Sequence, residues 1–316
     1  MRPVRTFVPL IAAVVGLLLL FRLWVPNLLA PANLIDLMQQ ISVNAILAFG
    51  MTLVILIGGI DLSVGALLAL VGTTTVFVLI KSPLGTMAPV WALPAMAAGL
   101  GVAGLFGAAN GLLATKTRIP PFIITLSTML IARGWALGYN QGRPMAIPDG
   151  QNVLLGLGNG RIGGLVPVPV LVMLLVFLGT SVLLHFTRFG RHLYGIGGSH
   201  ETARLSGIPI TRDTVIVYVL CSILTGLAGM IHTAQLYSAE PASGVGFELN
   251  AIAAVVVGGT SFSGGVGTMP GTLLGAIIIG VLDKGLNQAG VHYSLQYMVK
   301  GCVILGAVLL DVVRRK

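Results

Sequence analysis

Thr187-Arg-Phe-Gly-Arg-His-Leu-Tyr-Gly-Ile-Gly-Gly-Ser-His-Glu-Thr-Ala-Arg-Leu-Ser-Gly-Ile-Pro-Ile-Thr-Arg-Asp213 is a polar stretch between two long apolar runs, and we call it the polar segment. Four arginines fall within it, at positions 188, 191, 204 and 212. Short cytoplasmic loops of membrane proteins are enriched in Lys and Arg. The arginines therefore predict that the polar segment is a cytoplasmic loop.

Capping signals inside the polar segment predict a short helix over 199–207. Ser199 can accept a hydrogen bond from a first-turn N–H group, and Glu201 lies where the helix dipole favours an anion. Gly207, followed by Pro209, ends the pattern. Small residues that suit close packing in a groove lie beside the charged ones: Gly197, Gly198, Ala203 and Gly207. We expect a docking surface for a soluble partner, with an ordinary solvated loop as the alternative.

The composition indicates a membrane protein. Of 316 residues, 56% are hydrophobic and 9% are charged, whereas an ordinary soluble domain has about 25% charged residues. The net charge of +9 does not indicate a nucleic-acid partner, because the basic residues cluster at the ends of apolar runs and form no stripe with aromatics. Cys221 and Cys302 lie within apolar runs, so they predict neither a disulfide framework nor a metal site.

Apolar runs long enough to span a bilayer need about 20 residues, and they predict an all-α polytopic helical bundle over a single domain, 1–316. The predicted spans are Phe7–Val25, Ile41–Ile57, Val64–Ile80, Pro89–Ala114, Phe122–Gly138, Leu165–Phe186, Thr214–Leu236, Leu249–Gly259, Gly271–Leu282 and Ser294–Leu310. The eighth and ninth are too short to span alone. They either extend through the Gly-rich link Gly258–Gly271 or form short, broken or re-entrant helices in the C-terminal half, which leaves a count of eight to ten.

Both termini are predicted to lie on the same side of the membrane. Arg2 and Arg5 precede a first apolar run that is longer than the hydrophobic region of a signal peptide, so we interpret it as an uncleaved span. Ten spans place both termini, the polar segment and the basic tail Arg314–Lys316 in the cytoplasm.

The sequence has no motif that indicates catalysis, a nucleotide site or a metal site. Three polar features lie in or beside apolar runs. Asp61 is either a helix cap or a functional group, and snorkelling to the outer surface explains Arg133. The third is the Gly-rich break 258–267. Offset by 200 positions, Gly58, Gly59, Ser63 and Gly65 match Gly258, Gly259, Ser263 and Gly265, which indicates either an internal repeat or chance.

Four stretches resemble the permease subunits of bacterial ribose-type (simple-sugar) ABC importers. They are Ser42–Ala45, Gly50–Gly65, three parts of the polar segment (Thr187–Arg191, Gly197-Gly198 and Ala203–Ile208), and Leu249–Thr260 with Ser263–Gly267. The resemblance runs in order from about residue 30 to the C-terminus. One departure is Asn250, where the family often has Asp, so a charge-dependent role at this position is in doubt.

The resemblance implies a homodimer, or a heterodimer with a close paralogue, in the bacterial inner membrane. A cytoplasmic ATPase subunit would hold ATP and Mg, so this chain itself would have no cofactor, no metal and no catalytic residue. A periplasmic sugar-binding protein would deliver a monosaccharide. The polar segment would be the coupling loop, with these residues facing the ATPase: Arg188, Gly190, Arg191, Ser199, Glu201, Ala203, Arg204 and Gly207.

Polar residues set among apolar ones are the candidates for the sugar path, because a sugar needs hydrogen-bonding groups and aromatic faces. They are Asn44, Thr52, Asp61, Ser63, Thr125, Asn250, Thr260 and Ser261, with Phe122 or Phe262 as the aromatic face. An ion-coupled secondary transporter and a permease of the same superfamily for a nucleoside or a branched-chain amino acid are the alternatives, followed by a non-transporting scaffold.

Overall fold

The computed structural model describes residues 3–25, 27–81 and 91–314. Four residues named in the predictions lie outside these ranges. They are Arg2, Arg315, Lys316 and Pro89, of which Pro89 is the predicted start of the fourth span. The described chain forms thirteen helices and four two-residue strands: α1 (Pro3–Trp24), α2 (Pro31–Leu56), α3 (Val64–Lys81), α4 (Ala92–Lys116), α5 (Pro121–Gly138), β1 (Met145–Ala146), α6 (Asn152–Asn159), β2 (Arg161–Ile162), β3 (Val166–Pro167), α7 (Val168–Phe186), α8 (Arg188–Gly198), α9 (His200–Leu205), α10 (Ile210–Gln235), β4 (Ser238–Ala239), α11 (Phe247–Val257), α12 (Met269–Gln288) and α13 (Tyr293–Arg314).

Eight of the described helices are long and apolar enough to cross a membrane, and α11 and α13 add two shorter apolar stretches. The ten predicted spans are therefore ten helices, and the polytopic all-α prediction is confirmed. The ninth span is longer than its apolar run, Gly271–Leu282, because α12 covers Met269–Gln288, 20 residues. It begins two residues earlier, where the Thr268 hydroxyl accepts a hydrogen bond from the Gly271 N–H at 3.2 Å. Most of the added length lies after Leu282.

Helix α2 is the centre of the bundle. Every residue from Ala45 to Leu56 is buried, as expected of a helix that is apolar on all sides. It packs against α7, α10, α11 and α12, while α10 also packs against α3 and α4. Helix α1 packs on α12, where Phe21 lies so close to Gly285 that a side chain at Gly285 would overlap its ring.

Helix α11 is a half-length helix. Its 11 residues rise about 16 Å, roughly half of the ~30 Å hydrocarbon core. It follows a non-helical run, 240–246, in which Gly244 has a φ of 74°. Gly244 and Gly65 lie backbone against backbone, and a Cβ atom on either one would overlap the other's carbonyl oxygen. The prediction of a short or broken helix is confirmed here, because this run enters the bundle and α11 continues from it.

The turns after α2 and α11 have the same geometry. Gly58 and Gly259 have φ values of 79° and 88°, a left-handed conformation that glycine adopts without steric cost. Each turn closes with a backbone hydrogen bond onto its own helix, from Gly59 to Val54 at 2.9 Å and from Thr260 to Val255 at 3.1 Å. The units α2–α3 and α11–α12 thus share one turn geometry. The equivalent residues are 201 positions apart, Gly58 with Gly259 and Gly59 with Thr260, so the turns do not reproduce the 200-position offset of the sequence match.

The two ends of the bundle have different structures. One end, which we call the polar-segment side, carries α8 and α9. It also carries two turns that we call the first Gly-Gly turn (57–63, between α2 and α3) and the second Gly-Gly turn (258–268, between α11 and α12). The other end carries α6 and two short antiparallel pairings, β1 with β4 and β2 with β3. The described part of the chain therefore contains no larger sheet.

Candidate functional site

A cavity of about 200 Å³ lies between α2, α10, α11 and α12. Sites between the helices of a bundle are common positions for small ligands. Two predicted path residues, Asn44 and Asn250, line it together. The remaining lining residues are Gln40, Ile41, Val43, His232, Gln235, Phe247, Gly280 and Asp283. The volume is below the range of roughly 300–1,000 Å³ that is usual for ligand pockets, so the cavity suits only a small molecule.

Two amides of the cavity have unused hydrogen-bonding atoms. The Oδ1 atom of Asn44 and the Nε2 atom of Gln235 are buried and have no hydrogen-bond partner among the described residues. An unsatisfied buried polar group costs about 1–3 kcal/mol, so such groups are usually paired. One acceptor and one donor in the same cavity can pair with a hydroxyl group of a ligand.

The aromatic face of the cavity is Phe247, whose ring lies edge-on to His232 with centroids 5.3 Å apart. The predicted aromatic residues lie elsewhere: Phe122 and Phe262 are exposed, at 47% and 43%, and do not line the cavity. Phe247 precedes Asn250 by three positions on α11, which places both side chains on one helix face. That spacing is the sequence signal that the prediction missed.

The carboxylate of the cavity is Asp283 of α12, which forms an ion pair with Lys300 of α13 at 2.9 Å. Asn250 is neutral and shares the cavity with this acid. The carboxylate of the cavity therefore comes from α12 and not from the position of Asn250 on α11.

The other predicted path residues do not line this cavity. Thr52 is sealed between α2 and α12, where its hydroxyl lies 2.7 Å from that of Thr272. Thr125 donates to the Ile60 carbonyl at 3.2 Å. Asp61, Ser63, Thr260 and Ser261 are buried in or beside the two Gly-Gly turns. Their role in a path stays a prediction.

Arg133 holds the non-helical run before α11. Its Nη1 atom donates to the carbonyl oxygens of Pro241 and Ser243, at 2.6 and 2.7 Å. The prediction that Arg133 snorkels to the outer surface is wrong. The half-buried guanidinium satisfies backbone oxygens that no helix or sheet satisfies, which is the condition for non-helical backbone inside a membrane bundle.

The predicted short helix in the polar segment is confirmed as α9. The Ser199 hydroxyl accepts from the Thr202 N–H at 3.2 Å, and Gly207 follows the helix with a φ of 75°. A second helix, α8, precedes it in a region that was predicted to be a loop. Thr187 caps α8 by accepting from the Gly190 N–H at 3.3 Å.

Most of the predicted coupling residues are exposed: Arg188, Arg191, Ser199, Glu201, Arg204 and Gly207. Beside them Leu205 is 79% exposed. It is not among the predicted coupling residues. Gly190 and Ala203 are buried, so they shape the polar segment and cannot contact a partner directly. The exposed face therefore combines arginines with an apolar side chain.

Side-chain contacts anchor the polar segment to the bundle. Asp213 is fully buried and pairs with His192 Nδ1 at 2.7 Å and with Arg212 Nε at 3.0 Å. The Tyr194 hydroxyl donates to the Gly267 carbonyl at 2.7 Å, and burial raises the pKa of Tyr194, so it remains a donor at neutral pH. These contacts join α8 to α10 and to the second Gly-Gly turn.

Gly197 of α8 lies at the junction of the two Gly-Gly turns. The Gly265 amide donates to the Leu56 carbonyl at 2.8 Å, and a Cβ atom at Gly197 would overlap both groups. The backbone of α8 therefore touches the end of α2 and the loop between α11 and α12 directly, with no side chain between them.

The chain has close relatives among bacterial permeases. Residues 33–308 match the family described as "Branched-chain amino acid transport system / permease component". The ribose import permease protein of Escherichia coli K12 is 49% identical over 288 residues, which cover 90% of this chain and 87% of that protein. The ribose import permease protein of Bacillus subtilis 168 is 46% identical over 286 residues, 90% of this chain and 86% of that protein. The D-allose transport system permease protein of E. coli K12 is 39% identical over 285 residues, 88% of this chain and 83% of that protein.

The comparison with solved structures gave no significant match. The chain belongs to the family of ribose-type permease subunits of bacterial ABC importers.

Proposed function

We propose that this chain forms the membrane path of an ATP-driven importer for a monosaccharide, a ribose-like pentose or a hexose. The observation that carries the proposal is the 49% identity to a ribose import permease over 90% of the chain. The cavity supports it, because the amides of Asn44, Gln235 and Asn250 can pair with hydroxyl groups while Phe247 faces a sugar ring.

In this proposal ATP and Mg are bound by a partner ATPase subunit, and a periplasmic sugar-binding protein delivers the substrate. A second permease copy, identical or a close paralogue, completes the path in the bacterial inner membrane. The polar segment and both termini face the cytoplasm. ATP-driven closure of the ATPase pair would move α9 and α8, and the contact of Gly197 with both Gly-Gly turns passes that movement to α2 and α11, which line the cavity.

A permease for a branched-chain amino acid is the second candidate, because the family description names that substrate class. Such a substrate carries both an ammonium and a carboxylate group, which need oppositely charged partners. The acid and base at the cavity, Asp283 and Lys300, already neutralise each other at 2.9 Å. The neutral amides that remain favour the monosaccharide over the amino acid.

Sugar-stimulated ATP hydrolysis in proteoliposomes tests the coupling role. The chain is reconstituted with its co-encoded ATPase and binding protein, and Glu201→Lys with Arg204→Glu reverses two exposed charges on α9. We expect this double variant to lose stimulation while it remains folded. The matched control, Asp149→Lys with Arg143→Glu, reverses two exposed charges on the opposite side and is expected to keep stimulation. Transport of sugar by this chain without any ATPase would overturn the proposal.

Transport kinetics of cavity variants test the substrate class. Asn44→Ala and Gln235→Ala each remove one unpaired amide, and we expect each to raise the KM for the sugar by roughly tenfold, about 1.4 kcal/mol. Asn287→Ala removes an exposed amide outside the cavity and is expected to leave KM unchanged. Inhibition of uptake by leucine but not by ribose or other monosaccharides would instead support the branched-chain amino acid permease.

A further inference from the structure

Asp61 is a fully buried carboxyl group with one unused oxygen. Its Oδ1 atom accepts hydrogen bonds from the Ser63 N–H at 2.9 Å and from the Ser63 hydroxyl at 2.5 Å. Its Oδ2 atom is buried and has no hydrogen-bond partner among the described residues, and none of the described ion pairs includes Asp61. A buried carboxylate without a compensating positive charge is strongly unfavourable.

Two more unpaired oxygens lie beside this carboxyl group. Asn110 of α4 donates through Nδ2 to the Ser63 hydroxyl at 3.3 Å, and its Oδ1 atom is buried without a partner in the described chain. The Tyr218 hydroxyl of α10, also buried and unpaired there, would lie 2.7 Å from a Cβ atom at Gly59. Unpaired oxygens of two further helices, α4 and α10, therefore lie near the turn that carries Asp61.

The local turn does not require a carboxylate. In the second Gly-Gly turn the Ser261 hydroxyl accepts from the Ser263 N–H at 3.3 Å, with the same two-residue spacing as the bond from the Ser63 N–H to Asp61. A neutral hydroxyl can thus accept this hydrogen bond. The carboxyl group of Asp61 is therefore not needed to form it.

We propose that Asp61 Oδ2, Asn110 Oδ1 and Tyr218 Oη bind a monovalent inorganic cation. Carboxylate, amide and hydroxyl oxygens are ligands for hard cations. One carboxylate balances one positive charge, and the described residues contain no group of three or more His, Cys, Asp or Glu side chains that could hold a metal of higher charge. The bound cation joins the first Gly-Gly turn to α4 and α10.

A second cavity leads from the polar-segment side to Tyr218, one of the three proposed ligands. It has a volume of about 210 Å³ and extends from His200 and Thr211 of the polar segment to Gly58, Gly59 and Tyr218. The cation would enter from the polar-segment side, at the point where α9 lies over the bundle. This inference concerns a site separate from the sugar cavity, so it does not depend on which molecule is transported.

Thermal unfolding of the purified full-length chain in detergent tests the proposal. The unfolding midpoint is measured against NaCl or KCl concentration, with N-methylglucamine chloride keeping the ionic strength constant. A ligand that binds only the folded state raises the midpoint in a saturable way. We expect such a rise for the wild-type chain and its loss in Asp61→Asn, which keeps an oxygen for the two Ser63 hydrogen bonds. Asp36→Asn, at an exposed carboxylate 4.0 Å from Arg161, is the control that keeps the rise.

Three results would overturn the cation site. They are a wild-type midpoint that does not respond to Na⁺ or K⁺, an equal response in Asp61→Asn, and a response to pH alone, which would assign a proton to Asp61. If Asp61→Asn does not fold, Tyr218→Phe replaces it. That variant removes one ligand oxygen, and we expect it to weaken the apparent cation affinity by about tenfold, or 1.4 kcal/mol, whereas an unchanged affinity would contradict the proposal.

Discussion

At the residue scale, Arg133 shows how one side chain supports backbone that has no regular structure. Its guanidinium donates to two carbonyl oxygens of the run before α11. We expect Arg133→Ala to lower the free energy of unfolding by about 2–3 kcal/mol, because two part-buried hydrogen bonds from a charged donor are lost. Thermal unfolding in detergent, with sugar uptake measured in parallel, checks this.

The controls for Arg133 are two substitutions. Arg143→Ala truncates an exposed arginine in the loop after α5. It should change the free energy of unfolding by less than about 0.5 kcal/mol. Arg133→Lys keeps the charge but has no planar fork of donors, so we expect a partial loss only. Equal stability of Arg133→Ala and Arg143→Ala would show that the run before α11 does not depend on the guanidinium.

At the scale of elements, glycines decide how closely α4 approaches α10. A Cβ atom at Gly107 would lie 2.6 Å from the Tyr218 carbonyl oxygen and 2.7 Å from the Val219 Cα atom, whereas one at Gly104 would meet nothing within 4 Å. We expect Gly107→Ala to destabilise the protein by about 1–3 kcal/mol through overpacking. Gly104→Ala should be neutral, or stabilising by up to about 1 kcal/mol through helix propensity. Thermal unfolding midpoints of the two variants test these expected changes in stability. Identical midpoints would contradict the packing argument.

The junction at Gly197 gives a second test between elements. Gly197→Ala would force α8 away from Leu56 and Gly265, while Gly198→Ala meets open space. We therefore expect Gly197→Ala to reduce sugar-stimulated ATP hydrolysis by roughly tenfold or more, since a shift of about 1 Å at a coupled site can have effects of that size or larger. Gly198→Ala should keep at least half of the wild-type rate. Full coupling in Gly197→Ala would mean that movement of α8 is passed to the bundle elsewhere.

At the scale of the whole molecule, the proposed orientation places the polar segment in the cytoplasm. A chain in which Cys221 and Cys302 are replaced by Ser would receive one new cysteine, either at exposed Leu205 or at exposed Asp149 on the opposite side. In intact cells we expect an impermeant thiol reagent to label Asp149→Cys and not Leu205→Cys, because arginine-rich loops stay inside. The reverse labelling pattern would invert the topology.

Much of the fold was predictable from local signals. Apolar runs of span length gave the ten helices, and the Ser199 cap with Gly207 gave α9, because these patterns depend on residues within one or two turns of each other. Helix α8 was missed because its glycines and charged residues indicate a loop. The apolar run of the ninth span is shorter than α12 mainly because the last part of the helix, after Leu282, contains the polar residues Asp283, Lys284, Asn287 and Gln288.

The sequence by itself determined that this protein is a multi-pass helical bundle with an exposed basic segment, since hydropathy and charge are properties of continuous stretches. Only the tertiary structure decided that Asn44, Gln235, Asn250 and Asp283 share one cavity, that Arg133 binds the run before α11, and that Asp61 lies beside Asn110 and Tyr218. These groups are far apart in the chain. They meet because helices pack through shape complementarity over their whole surfaces, and no local pattern in the sequence encodes that.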